Sequence, residues 1–217
     1  MGMNKKLTVV SRGREDNSTV AMLAGLLIIV VMASVTYTRN GVWRNALLLW
    51  TDAVSKSPEK ARVHYHLALA FELQGMFQEA AEHYKISVQL KPDYRIAHNN
   101  LGNVYVNEGR YKEAIAEFET AINLNPKEPL TYDNLGFVFF KIGRIDSAIQ
   151  AYKKAIEIAP AVAEIHNNLG YVYFTQGRYV EAEKEFRIAL ALNPDLAAAH
   201  INSDLLSETL RLKAGLK

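Results

Sequence analysis

The sequence of 217 residues contains no cysteine and has almost no excess of charge. The lack of cysteine excludes disulfide bonds, thiol nucleophiles and thiolate-held metal sites. The 25 basic and 23 acidic residues leave a formal net charge of +2, and residues 1–38 carry all of that excess. The remainder is therefore neutral overall. Because a surface that follows phosphates needs clustered lysine and arginine, we expect no nucleic-acid partner.

Proline is also scarce, yet its placement is the most regular feature of the chain. Five of the six prolines are spaced by 34 residues, and five glycines and five alanines repeat at the same interval. They are Pro58, Pro92, Pro126, Pro160 and Pro194; Gly41, Gly75, Gly109, Gly143 and Gly177; and Ala46, Ala80, Ala114, Ala148 and Ala182. A fixed period of this length is typical of stacked copies of one supersecondary unit.

Each period contains two amphipathic helical patterns. In residues 95–128, apolar and aromatic side chains recur at helical spacing on both sides of the Gly109-Arg110 break. Such a hairpin buries its apolar face only against its neighbours. We therefore predict an all-α fold in which four full units occupy residues 61–196. A half-repeat at 40–60 precedes them, and a polar capping helix and tail at 197–217 follow them.

This pattern resembles the tetratricopeptide repeat (TPR) family, whose units carry a large residue, Leu-Gly, Tyr, Ala, Phe and Pro in this order. The large residue is His64, His98, Tyr132 or His166, and the Leu-Gly pair is Leu67-Ala68, Leu101-Gly102, Leu135-Gly136 or Leu169-Gly170. The resemblance implies a right-handed α-α superhelix of about four and a half repeats plus the capping helix. It also implies that the first helices line a concave wall for protein or peptide partners.

The N-terminal part predicts a membrane anchor. Residues 17–38 contain no charged side chain, and about 20 apolar residues suffice to span a bilayer. We predict a transmembrane helix at 17–39 after a polar, basic tail at 1–16. The alternative is a signal peptide cleaved between Ala33 and Ser34. Since the basic residues before the span slightly outnumber those after it, we expect a single-pass protein of the bacterial inner membrane with periplasmic repeats.

The repeat frame, extended backwards, places a first helix at residues 27–40, within this apolar segment. No Gly/Ser/Pro linker separates the segment from the repeats. We therefore expect the membrane helix to supply the first helix of the half-repeat and to hold the scaffold in a fixed orientation. Trp43 and Trp50 would lie near the membrane interface, or they are ordinary core residues of the hairpin.

Residues 39–58 are similar to the junction that follows the last membrane helix in multi-span, glycosyltransferase-like membrane proteins with C-terminal TPRs. That resemblance implies that the repeats face away from the cytosol. The chain has one predicted span and lacks the acidic lumenal loops of such transferases, so the resemblance carries no activity.

A row of amides marks the candidate binding wall at Asn100, Asn134, Asn168 and Asn202, spaced by 34 residues, and His66 has the matching place in the first unit. It resembles the asparagine ladder in the repeats of O-linked N-acetylglucosamine transferase. Side-chain amides suit the backbone of an extended peptide, although they also bond neighbouring helices. A role in partner binding predicts that Asn134→Ala plus Asn168→Ala weakens capture and leaves thermal stability unchanged.

One helical turn further along the first helices lie Asn103 and a set of aromatic residues. Phe137, Phe140, Tyr171 and Phe174 would form an apolar patch on the wall unless they are buried between helices. The predicted partner-binding residues are therefore Asn100, Asn103, Asn134, Phe137, Phe140, Asn168, Tyr171, Phe174 and Asn202.

The chemistry of the chain indicates recognition, because no motif for a nucleophile, a phosphate loop or a metal site is present. Histidines at equivalent places belong to separate repeats and cannot converge on one ion. We expect a membrane-anchored scaffold that binds a protein or peptide, with no catalytic residues, metal or cofactor. Two alternatives remain: an accessory subunit of a larger inner-membrane complex docked through its transmembrane helix, or a non-catalytic partner of an envelope glycosylation system.

Overall fold

The structure is a computed structural model, and it describes residues 46–215. From Trp50 onwards, the described residues belong to one compact unit. The predicted tail at 1–16, the predicted span at 17–39 and Trp43 lie outside the described residues. No helix within 46–215 is long and apolar enough to cross a membrane.

The described residues form ten α-helices and no strand, which confirms the all-α prediction for this part of the chain. The helices are α1 Ala46–Lys56, α2 Ala61–Glu72, α3 Phe77–Leu90, α4 Arg95–Asn107, α5 Tyr111–Leu124, α6 Pro129–Lys141, α7 Ile145–Ile158, α8 Ala163–Thr175, α9 Tyr179–Leu192 and α10 Ala197–Lys213. Helices α2 to α9 pack as four successive hairpins, and each hairpin also packs against the next.

The turn inside each hairpin depends on a glycine. Gly109 and Gly143 have φ angles of 73° and 77°, which side-chain-bearing residues rarely adopt. In this conformation, the backbone amides of Gly109 and Arg110 donate hydrogen bonds to the carbonyl oxygens of Val106 and Tyr105, at 3.0 and 2.8 Å. These bonds satisfy carbonyl groups at the C-terminal end of α4. The repeated glycine in the sequence therefore ends the first helix and starts the return.

A second kind of glycine sets how closely the two helices of a hairpin approach. A Cβ atom on Gly102 would lie 2.5 Å from Cε1 of Phe118, and one on Gly170 would lie 2.7 Å from the ring of Phe186. Both rings are almost completely buried. The Leu-Gly pair on the first helix thus leaves room for the aromatic residue of the second helix, and these rings form much of the continuous core.

The last described helix differs from the polar cap that the sequence indicated. Helix α10 packs through Ala199 and Leu206, which are buried. Ile201 is 66% exposed and Leu212 is 72% exposed, because no described helix covers that side of α10. The exposed surface of this helix is therefore mixed rather than polar.

A candidate partner-binding groove on the first helices

The first helices form a concavity of about 340 Å³, which we call the aromatic groove. Helices α6, α8 and α10 supply its walls, and Tyr152 reaches into it from α7. The lining residues are Phe137, Phe140, Lys141, Tyr152, Asn167, Asn168, Tyr171, Val172 and Asn202. The fold thus brings together Phe137, Phe140, Asn168, Tyr171 and Asn202, five of the nine residues predicted from the sequence.

The four predicted aromatic residues divide into two exposed and two half-buried rings, and Phe174 is not among the residues that line the groove. Phe137 and Tyr171 are each 39% exposed. Phe140 and Phe174 are half-buried against the core, so the alternative of burial between helices applies partly to these two. Tyr171 connects them, with ring centroids 5.8 Å from Phe140 and 6.5 Å from Phe174. Phe140, Tyr171 and Phe174 therefore form one contiguous aromatic cluster, and Phe137 lines the same groove as Phe140 and Tyr171.

The amide row forms hydrogen bonds between neighbouring repeats. Nδ2 of Asn168 donates to Oδ1 of Asp133 at 2.9 Å, and Nδ2 of Asn202 donates to Oδ1 of Asn167 at 2.8 Å. The equivalent bond from Asn134 to Oδ1 of Asn99 is longer, at 3.4 Å. Each of these three amides thus donates one hydrogen bond to the first helix of the preceding repeat. This agrees with the alternative that the amides bond neighbouring helices.

The remaining predicted residues lie outside the aromatic groove. Asn100 donates to the hydroxyl oxygens of Tyr65 at 3.4 Å and Tyr84 at 3.3 Å. Asn103 lines a neighbouring concavity of about 280 Å³ together with Asn134 and the other face of Phe137. Phe137 therefore lines both the aromatic groove and this neighbouring concavity.

The electrostatics of this wall centre on Asp133. Burial raises the pKa of its carboxyl group above the ordinary value of 3.8, the hydrogen bond from Asn168 lowers the pKa, and the charge of Glu164 raises it further. The equivalent positions in the neighbouring repeats are Asn99 and Asn167. A carboxyl group therefore replaces an amide at one rung of the row.

Four of the nine lining residues are not among the predicted binding residues: Lys141, Tyr152, Asn167 and Val172. Tyr152 occupies the same place in its repeat as the buried Phe118 and Phe186, so the sequence pattern pointed to the core. Lys141 lies four residues after Phe137, and its Nζ is 5.3 Å from the centroid of that ring. The spacing of side chains on a helix could have identified it.

The histidines have structural partners within the hairpins. Nδ1 of His98 lies 2.6 Å from a carboxylate oxygen of Glu117, and Nδ1 of His166 lies 2.7 Å from Glu185. The other ring nitrogen of each faces a proline carbonyl, at 2.9 and 3.0 Å. Within residues 46–215 no group of three potential metal ligands converges, so the structure offers no metal site in that range.

Family models match most of the repeat region. A model described as TPR repeat matches residues 102–143 and 138–177, and one described as tetratricopeptide repeat matches 163–196. A model described as a domain of unknown function (DUF6340) matches residues 33–108. Among curated proteins, the chain is 30% identical over 64 residues to the protein O-mannosyl-transferase F38B6.6 of Caenorhabditis elegans. That match covers 30% of this chain and 9% of the transferase.

Solved structures share the fold over most of the chain. MamA is 26% identical, with a TM-score of 0.67 over 75% of this chain and 95% of MamA. TTC0263, a TPR protein of Thermus thermophilus, is 23% identical, with a TM-score of 0.62 over 81% of this chain and 95% of its own. YrrB is also 23% identical, with a TM-score of 0.61 over 75% and 84%. The repeat matches and the shared fold together show that this chain contains tetratricopeptide repeats.

Proposed function

We propose that this chain is a membrane-anchored TPR scaffold that binds a segment of a partner protein in the aromatic groove. The observation that carries the proposal is the pair of rings of Phe137 and Tyr171, each 39% exposed in a groove that also contains three asparagine side chains. Aromatic side chains on a preformed surface anchor partners well because they bury a large area and lose few rotatable bonds. The role is recognition rather than catalysis.

A related fold supports this use of the wall. The structure of YrrB is described as that of a TPR protein with an unusual peptide-binding site. In the present chain, the amides of Asn168 and Asn202 each have an oxygen and a second N–H beside the bond to the neighbouring helix. These groups at Asn168 and Asn202 line the groove, where a partner backbone would meet them. The aromatic rings would supply affinity, and the amides would orient the bound segment.

The membrane anchor in this proposal is residues 17–39. Its support is the uncharged, mainly apolar stretch at residues 17–38, which is long enough to span a bilayer. We place the repeats outside the inner membrane because the basic residues before the segment slightly outnumber those after it. The partner would then be a periplasmic protein or the periplasmic part of a membrane complex.

Site-specific photocrosslinking tests the proposal. A photoreactive phenylalanine analogue at Tyr171 should capture the partner in living cells, whereas the same analogue at Val180 should not. Val180 is a matched control because it is 80% exposed on α9, away from the groove. Equal capture from both positions would contradict the groove. Capture only from Leu26 or Ile29 would instead favour an accessory subunit that docks through its membrane helix.

A second candidate is a non-catalytic partner of an envelope glycosylation system. Its support is the match to a protein O-mannosyl-transferase, together with the resemblance of residues 39–58 to the junction in such proteins. Since the match covers 9% of the transferase, it carries no activity to this chain. Identification of a multi-span transferase as the protein crosslinked at Tyr171 would support this candidate, and a partner unrelated to glycosylation would contradict it.

A further inference from the structure

The aromatic groove carries a single charged side chain among its lining residues, Lys141. Its ammonium group lies 5.3 Å from the centroid of the exposed Phe137 ring. No ion pair holds Lys141 in the described part of the chain. The groove therefore presents an uncompensated positive charge directly beside its apolar surface.

Two other cationic side chains, Arg144 and Arg178, stack on aromatic rings of their own. The guanidinium of Arg144 stacks on the ring of Phe139 at 4.6 Å, and that of Arg178 stacks on Tyr173 at 4.3 Å. Arg178 also pairs with Glu181 at 2.8 Å. Arg144, like Lys141, has no ion pair within residues 46–215, but only Lys141 lines the groove, and the three N–H donors of its ammonium group have no carboxylate partner there.

Acidic groups lie at the opposite end of the wall. Asp133 is eight residues before Lys141 on α6, which corresponds to roughly 12 Å along the helix axis. Glu164 belongs to the first turn of α8, and its charge reaches Asp133. The wall is therefore polarised, with negative groups near the beginnings of α6 and α8 and a cation at the end of α6.

We propose that the groove selects segments in which an Asp or Glu side chain adjoins the apolar residue that packs on Phe137, Phe140 and Tyr171. Lys141 is the specificity-determining residue, since a carboxylate beside the apolar anchor would meet its ammonium group at the groove edge. Complementary charge at an interface contributes more to selectivity than to affinity. This inference rests on the proposed function, because it names the chemistry of the segment that the same groove binds.

The test uses the full-length protein in mild detergent and an immobilised peptide library. Each peptide carries a central Phe or Leu, and every flanking position is varied equally among Asp, Asn and Lys. Wild type should enrich Asp peptides over their Asn counterparts by about fivefold at low salt, the ratio expected for one partly exposed ion pair. Lys141→Gln should remove this preference, and Lys141→Glu should shift it towards Lys.

Lys153→Gln is the matched control, because it removes the same charge from an exposed position on α7. It should leave the preference for Asp intact. Lys141 also lies in the last turn of α6, where a cation stabilises the helix end. That structural role would lower the melting temperature of Lys141→Gln without changing which peptides bind. Bound peptides with no charge preference, or a preference that survives Lys141→Gln, would overturn this inference alone. Failure of every peptide to bind would overturn the proposed function with it.

Discussion

Replacement of Asn168 by alanine should destabilise the repeats. The Nδ2 group of Asn168 donates to Asp133 at 2.9 Å, and this is the hydrogen bond that the described residues provide to that carboxylate. Burial has already raised the pKa of Asp133, and Asn168 offsets part of that effect. Without the amide, a largely desolvated carboxylate loses its donor.

The expected loss of stability is large because removing one partner of a buried hydrogen bond leaves the other partner unsatisfied. Leaving one buried polar partner unsatisfied costs about 1–3 kcal/mol. For a domain of this size, each kcal/mol lowers the melting temperature by roughly 2–4 °C. We therefore expect Asn168→Ala to melt about 2–12 °C below wild type. Asn134→Ala breaks a longer contact, at 3.4 Å, to the neutral amide of Asn99, so its loss should be smaller.

The assay is thermal and urea unfolding of the full-length protein at pH 7, followed by circular dichroism. A double-mutant cycle with Asp133→Asn isolates the pair, since a neutral amide at 133 tolerates the loss of its donor better than a carboxylate does. The cost of Asn168→Ala should therefore shrink in that background. If Asn168→Ala melts like wild type but loses partner capture, the amide serves the partner instead, in line with the sequence-based prediction for Asn134 and Asn168.

Three further predictions concern the core and the titratable groups. Asp133→Asn should stabilise the protein at pH 7. A carboxyl group whose pKa is raised in the folded state contributes stability below pH 3.8, and this contribution is lost as the pH rises through the pKa of the folded state. Gly102→Ala should lower the free energy of unfolding by about 1–2 kcal/mol, since the contact with Phe118 outweighs the gain in helix propensity. For His98, burial lowers the pKa, but the hydrogen bond to Glu117, the carbonyl of Pro92 and the charge of Glu117 raise it above 6.5 overall. Its stabilising contribution should thus be present below pH 6.5 and lost as the pH rises through the folded pKa, and Glu117→Gln should weaken this dependence.

Each of these predictions has a direct readout. Unfolding curves at pH 3 and pH 7 should show the advantage of Asp133→Asn only at the higher pH, and an equal advantage at both would contradict the electrostatic cause. A Gly102→Ala protein as stable as wild type would show that the Phe118 ring can move. NMR titration of the His98 ring should give a pKa above 6.5, and a lower value would mean that burial dominates.

The repeating architecture could be predicted from sequence because its determinants are local. Gly109 adopts a positive φ angle at the end of α4, and Gly102 leaves space for the ring of Phe118. Pro126 follows the end of the second helix of the same unit. Since the same determinants recur every 34 residues, one hairpin predicts the next, and helices α2, α4, α6 and α8 begin at the first residues of the four units. The aromatic core positions follow from the same helical spacing.

The properties of the groove depend on contacts between repeats, which the spacing of residues within one repeat does not specify. The sequence showed an amide every 34 residues from Asn100 to Asn202, but the packed helices decide that Asn168 donates to Asp133 and Asn202 to Asn167. Tertiary packing likewise leaves Phe137 exposed and half-buries Phe140, three residues away on the same helix. The sequence by itself therefore determined which residues face the wall, because helical periodicity is local. Only the tertiary structure decided which of their polar groups and ring faces remain accessible, because that depends on the distance and angle between successive hairpins.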